Sequence, residues 1–213
     1  MPMRTLLAVL ALLLGVAAHA SESKENAKAL SQMLSGYESY QAEFTQTVRT
    51  DEGERIQEST GQVKARRGGD FYWHTDPPLE QTIVTAGNEV KVYDPDLLQV
   101  TVYPLEDRIA STPALLLSGE VVDLAASFRI TREDEQGQDV FVLEPRDEDT
   151  LFLELVMVFR DGVLREMRLH DSLDQHSRLR FDDVVLNDSI ADERFELDVP
   201  DNVDVIRNRG ERG

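Results

Sequence analysis

The side chains able to do chemistry are few and poorly spaced for it. Past the first twenty positions there are three histidines, His74, His170 and His176, and the whole chain has no cysteine. A bound zinc needs three or four Cys, His or carboxylate ligands at short characteristic spacings, and this set has none of them. No G-x-S-x-G turn presents a nucleophile. Neither a P-loop nor a G-x-G-x-x-G turn occurs. The 41 Asp and Glu residues make carboxylate pairs common. "TREDEQGQD" and "EPRDEDT" read as solvated hairpin ends, and nothing points to the two convergent carboxylates of a glycosidase. No catalytic residue, metal or cofactor is expected. One stretch does concentrate unusual residues: "KARRGGDFYWHTDPP", Lys64 to Pro78. Two arginines, Arg66 and Arg67, meet two glycines, and the aromatics that follow include Trp73, the only tryptophan.

The balance of charge narrows the partners. A formal net charge of −19 argues against nucleic acid and against adsorption to anionic lipid. The start "MPMR", the apolar run "TLLAVLALLLGVA" and the small residues of "AHA" read as a secretory signal peptide over residues 1–20, cleaved after Ala20. An exported, soluble, periplasmic protein follows. It declines disulfides, so burial alone must hold it together.

The elements that position the Arg-Gly-aromatic stretch are mostly strands. "SKENAKALSQMLSGYES" puts Ala27, Leu30, Leu34 and Tyr37 on one helical stripe, with Ser23 as the N-cap of a helix near 24–37. From Tyr40 the period becomes two. "YQAEFTQTV", "RIQESTGQVKA" (with Gly61 as a bulge), "DFYWHT", "EQTIVTA", "EVKVYD" and "LLQVTVY" follow one another as a meander. A helical insertion near 105–126 carries Leu115 and Leu116, with Pro113 at its first position after Thr112. Strands then resume at "FRITRED", "DVFVLEP", "LFLELVMVFR", "VLREMRLHD" and "SRLRFDDVVL". A short one is also read near "RFELDVP", in a sheet expected to have about eleven strands. The expectation is one domain, residues 21–206, with a disordered tail at 207–213. It is mainly β (α+β), an unclosed antiparallel barrel with helices as a lid over its concave face. "LFLELVMVF" is apolar on both faces, which asks for a second packing layer or a greasy ligand.

The ordered run "FTQTV", "STGQVKARRGGDFYW", "EQTIVTAGNEVKVYDPDLLQVTV" and "TPALLL" resembles the LolA-type outer-membrane lipoprotein carriers of Gram-negative bacteria, over essentially the whole mature chain. The resemblance implies a monomeric periplasmic carrier that is not an enzyme. Its cavity would take the acyl chains of triacylated lipoproteins from an inner-membrane LolCDE-like complex and pass them to a LolB-like acceptor. Phe71 and Trp73 fall on the family's aromatic positions, and the alternation of the strands is expected to put Phe44, Leu153 and Leu155 with them on the concave, acyl-chain side. The resemblance implies a lid latch at Arg67, with Arg66 as the alternative, and lid helices carrying Leu30, Leu34, Pro113, Leu115 and Leu116. Two positions depart from the family pattern: Gly68 stands where proline is usual and Lys64 where an aromatic is usual. A lipid- or lipoprotein-sensing regulator of similar fold, and a periplasmic hydrolase, are the alternative readings.

Overall fold

The computed structural model describes residues 21–105, 113–118, 123–147 and 150–208. The expected signal peptide, the Thr112 cap and the last five residues lie outside them. A helix, α1, runs through residues 21–34. Six strands follow as a meander: β1 Ser39–Thr50, β2 Arg55–Arg66, β3 Asp70–Thr75, β4 Gln81–Ala86, β5 Glu89–Asp94 and β6 Gln99–Pro104. The insertion contributes a 3-10 helix at Pro113–Ser118 and a short helix, α2, at Leu124–Ser127. A second meander completes the body: β7 Phe128–Glu135, β8 Gln138–Pro145, β9 Phe152–Arg160, β10 Val163–Asp171 and β11 Gln175–Leu186. A last short strand, β12, is Asp204–Arg207.

All twelve strands lie in one sheet, ordered β12-β6-β5-β4-β3-β2-β1-β11-β10-β9-β8-β7. Pairing of β1 with β11 welds the two meanders together. The outermost strands β12 and β7 do not pair with each other, so the sheet is unclosed. The topology explains where the insertion lies. β6 is next to one edge and β7 is the other edge, so the chain between them must cross from one side of the sheet to the other. Its described residues Ala114 to Leu117 and Leu124 pack on the face that α1 also covers. Leu30 and Leu34 of α1, Leu115, Leu116 and Leu117 of the 3-10 helix, and Phe44, Phe71, Leu143 and Phe159 of the sheet share one buried cluster. We call this the inner face. Each Leu or Phe buried there is worth about 1.5–3 kcal/mol, which holds α1 to the sheet more firmly than helix propensity could.

Several local expectations need correction. Ser23 lies inside α1 rather than capping it, and its hydroxyl accepts the Ile130 amide of β7 at 2.9 Å. Gly61 is not a bulge. It pairs regularly with Phe44 on β1 and Thr75 on β3. A Cβ at Gly61 would run into the His74 carbonyl oxygen of β3 and sit 2.6 Å from the Phe44 ring, so the glycine makes room for a neighbouring backbone as well as for an aromatic. "RFELDVP" forms a 3-10 turn at Asp192–Phe195 rather than a strand. The twelfth strand lies further on and pairs parallel to β6, an exception in an otherwise antiparallel sheet. Arg207, expected in a disordered tail, ends that strand and pairs with Glu89 at 2.7 Å. Of the expected helix over 105–126, the described residues show a helical Leu105, the 3-10 helix and α2.

Candidate functional site

The turn between β2 and β3 is made of Arg67, Gly68 and Gly69. Both glycines have positive φ, 101° and 96°, a region costly for any residue with a Cβ. The turn therefore folds back over the inner face instead of running on as an extended hairpin. Thr85 pins it from β4: its buried hydroxyl donates to the Gly69 carbonyl at 2.5 Å and accepts the Phe71 amide at 2.8 Å. Nothing in the spacing of Thr85 marks it for this role.

Both helical segments over the inner face meet this turn. The Arg67 guanidinium donates to the Ser35 carbonyl at the end of α1, and it pairs with Glu38 at 3.1 Å. A cation at a helix C-terminus also faces the negative end of the helix dipole. The Arg67 amide donates to the Glu38 carbonyl at 2.9 Å, and the Gly69 amide donates to the Ser118 carbonyl at 3.3 Å. Arg66 points elsewhere. It donates to Asp70 through two nitrogens at 2.6 and 2.8 Å and to Asp192 at 2.7 Å, and its guanidinium lies over the Phe195 ring. These contacts tie the segment after β11 to the outer face. The two neighbouring arginines thus serve opposite faces of the sheet.

Beside the 3-10 helix, on the inner face, lies a cavity of about 430 Å³. Trp73, Ile83, Leu155, Met167 and Leu179 line it from five strands, and Ala114 of the 3-10 helix lines it from above. Gln46, Gln57, Ser59 and Ser177 add a polar margin, and Glu80, Asp94 and Asp96 stand at the loop end. An apolar chain with a polar head could lie here, its tail against the Trp73 side and its head among the amides and hydroxyls. Among the described residues no group of three His, Cys, Asp or Glu could hold a metal ion. His170 and His176 stack across β10 and β11 with ring centroids 4.4 Å apart.

The residues expected to line the cavity divide. Trp73 and Leu155 do line it. Phe44 and Phe71 are on the same face but buried behind Trp73: Phe44 stacks on its ring with centroids 3.9 Å apart, and Phe71 is fully buried. Leu153 does not belong there, since it is 51% exposed. The reason is a bulge in β9. His170 pairs with Glu154 while Asp171 pairs with Phe152, so Leu153 has no cross-strand partner and the alternation of faces reverses at that point. Phe152 turns inward in its place. Leu30, Leu34, Leu115 and Leu116 are all buried over the inner face. Pro113 opens the 3-10 helix. Ile83, Met167 and Leu179 line the cavity without having been singled out. The inward position of Met167 and its pairing with Leu179 follow from the register of β10 with β11, which is not local information.

Comparison with known proteins is consistent across the chain. The family model "Outer membrane lipoprotein carrier protein LolA" matches residues 35–198. An outer-membrane lipoprotein carrier protein of Hahella chejuensis is 46% identical over 84% of this chain and 87% of its own length. One from Pseudomonas fluorescens is 41% identical over 96% of this chain and 98% of its own. Among solved structures, an uncharacterized conserved protein from Thermus thermophilus superposes with a TM-score of 0.52 at 16% identity, covering 86% of this chain and 98% of its own. That last likeness concerns the fold alone.

Proposed function

Because the chain belongs to the LolA family of outer membrane lipoprotein carriers, we propose that the inner-face cavity beside the 3-10 helix is where it holds its cargo's acyl chains. The chain is a periplasmic lipoprotein chaperone, a carrier by family and not a member of an enzyme family. The observation that carries the assignment of the site is the apolar wall formed by Trp73, Ile83, Leu155, Met167 and Leu179. Burying a methylene gains about 0.8 kcal/mol, so a chain of about 16 carbons resists release to water by roughly 12 kcal/mol. Cargo so held cannot be let go into water on a useful timescale. It has to pass directly between greasy cavities, from an inner-membrane releasing complex to an outer-membrane acceptor. No nucleotide reaches the periplasm to drive the step, so the carrier must hold cargo less tightly than the acceptor does.

A lid supplies that handicap. The contacts of Arg67 with Ser35 and of Gly69 with Ser118 exist only while the helical segments sit over the inner face. Opening them costs free energy in the loaded state alone, and this lowers cargo affinity.

The test uses the chain's own chromophore. Trp73 is the only tryptophan, and it lines the cavity. A triacylated lipopeptide carrying a pyrenyl acyl chain should quench Trp73 emission by energy transfer on binding, and purified acceptor should restore it. Unaltered emission with a lipopeptide that demonstrably co-elutes with the protein would place the acyl chains elsewhere.

A further inference from the structure

The outer face of β9, β10 and β11 is unlike the rest of the molecule. In a chain with 22 Lys and Arg against 41 Asp and Glu, two adjoining shallow troughs there gather Arg49, Arg160, Arg165, Arg168, Arg178 and Arg180. Arg168, Arg178 and Arg180 line both troughs, so the two form one surface. The register builds it. Arg168 stands opposite Arg178 and Glu166 opposite Arg180, while the break between Leu164 and Glu166 in the pairing of β10 with β9 leaves Arg165 bulged beside them. Glu166, 8% exposed, is the internal counter-ion, accepting from Arg168 and Arg178, each at 2.5 Å. Arg160, Arg165 and Arg180 make no ion pair or side-chain hydrogen bond among the described residues. In so acidic a protein, three neighbouring guanidiniums without a carboxylate are a standing demand for one.

We propose that this outer arginine surface docks an extended, carboxylate-rich segment of a partner protein, lying along β10 and β11 on the side of the sheet away from the cavity. Two features select that occupant. The arginines repeat at every second residue along β11, Arg178 and then Arg180, a spacing of about 7 Å. An extended peptide with an acidic residue at every second position has the same repeat, so each guanidinium fork meets a carboxylate in register. The surface is also narrow. Glu58 and Glu154 line one trough and Asp182 and Asp183 the other. A planar anionic surface would press on those carboxylates, whereas a single acidic strand between them would not. A handle on the outer face would let a partner hold this protein without obstructing the cavity.

The experiment is fluorescence anisotropy with a labelled peptide of alternating Glu and Thr, against a peptide of the same composition with its Glu residues in one block. The triple variant Arg160→Gln, Arg165→Gln, Arg180→Gln removes exposed, unpaired side chains, and a circular dichroism spectrum confirms its fold. The alternating peptide should bind tighter than the block peptide and lose about tenfold in affinity with the triple variant. Glu166→Gln should bind it more tightly than wild type, a gain that misfolding cannot produce. No binding at about 1 mM peptide, or equal binding by wild type and triple variant, overturns the proposal. So does arginine-dependent binding to phosphatidylglycerol vesicles without peptide binding, and so does an arginine-dependent dimer in sedimentation. The triple variant should still quench Trp73 with the pyrenyl lipopeptide, so failure of this surface and failure of the cavity assignment are told apart.

Discussion

Arg66 and Arg67 are adjacent, yet the structure gives them separate partners, and substitutions should separate them too. The Arg67 guanidinium touches the end of α1, and under the proposed latch that contact belongs to the closed arrangement alone. Removing it raises the energy of that arrangement, so the open, loaded one is relatively favoured. A charged hydrogen bond is worth about 1.5–3 kcal/mol, but the Arg67 side chain is 43% exposed, and screening cuts that to about 1 kcal/mol. Arg67→Leu should therefore raise cargo affinity about fivefold and slow hand-off to purified acceptor in proportion. Arg67→Lys should restore transfer only in part, since an ammonium has no fork to reach the Ser35 carbonyl and Glu38 together. Arg66→Leu should leave hand-off intact and instead lower the thermal midpoint, because it frees Asp192 and the outer segment. Transfer by Arg67→Leu at the wild-type rate would remove the latch from the mechanism. At Gly61 the side chain that matters is the one absent. Gly61→Ala would drive its Cβ against the His74 carbonyl of β3 as well as the Phe44 ring, so β2 and β3 would have to part locally and the stack of Phe44 on Trp73 would shift, at an overpacking cost of about 3 kcal/mol or more. Urea denaturation measures that cost, and a shifted Trp73 emission should accompany it.

At the level of the strand, two bulges decide which residues face which way. In β9, Leu153 is exposed and Phe152 is buried, so their substitutions should differ sharply. Leu153→Ser should change stability by no more than about 0.5 kcal/mol, and Phe152→Ala should cost about 3–5 kcal/mol. Chemical denaturation of the two side by side checks the bulge directly, and a large loss at Leu153 would contradict it. In β10 the second bulge sets Glu166 among arginines. Burial alone would raise the Glu166 pKa, but the hydrogen bonds and charges of Arg178 and Arg168 outweigh it and hold the carboxyl below its usual value. Its stabilising effect is therefore fully present above the unfolded value, about 4.3, and is lost as pH falls through the folded one. The stability gap between wild type and Glu166→Gln should be widest near neutral pH and shrink below about pH 4. A gap that widens in acid would mean the carboxyl is protonated in the fold.

If the cavity holds the acyl chains of a triacylated cargo, as proposed above, the whole molecule has to change shape to take them. A methylene fills about as much space as a molecule of liquid water, roughly 30 Å³, so the cavity of about 430 Å³ has room for about one acyl chain. A triacylated cargo needs about three times that. On that proposal the space comes from the helical segments, because the strands beneath them are held by ladders of ten or more paired residues, while the segments meet the β2–β3 turn through only the carbonyls of Ser35 and Ser118. Loading should therefore speed amide hydrogen exchange in residues 21–34 and 113–118 and leave β1, β2 and β11 protected. Uniform protection in the loaded protein would show that the cavity takes its cargo without lid movement.

Much of this was open to reading from the chain alone. The change of period at Tyr40, the stripe of Ala27, Leu30, Leu34 and Tyr37, and the Arg-Gly-Gly turn before Trp73 are local signals. Backbone geometry turns such signals into strands, a helix and a turn without reference to anything distant. The family resemblance, carried by ordered motifs, assigned the lipoprotein-carrier role. Tertiary structure decided the rest, for one recurring physical reason: which way a strand residue faces depends on partners far away in the chain. The bulge that turns Leu153 outward exists only against β10. Gly61 is a glycine because of a carbonyl on β3 and a ring on β1. Thr85 holds a turn that belongs to two other strands. Arg160, Arg165 and Arg180, scattered over three strand segments of an acidic sequence, become one positive surface only when β9, β10 and β11 lie side by side.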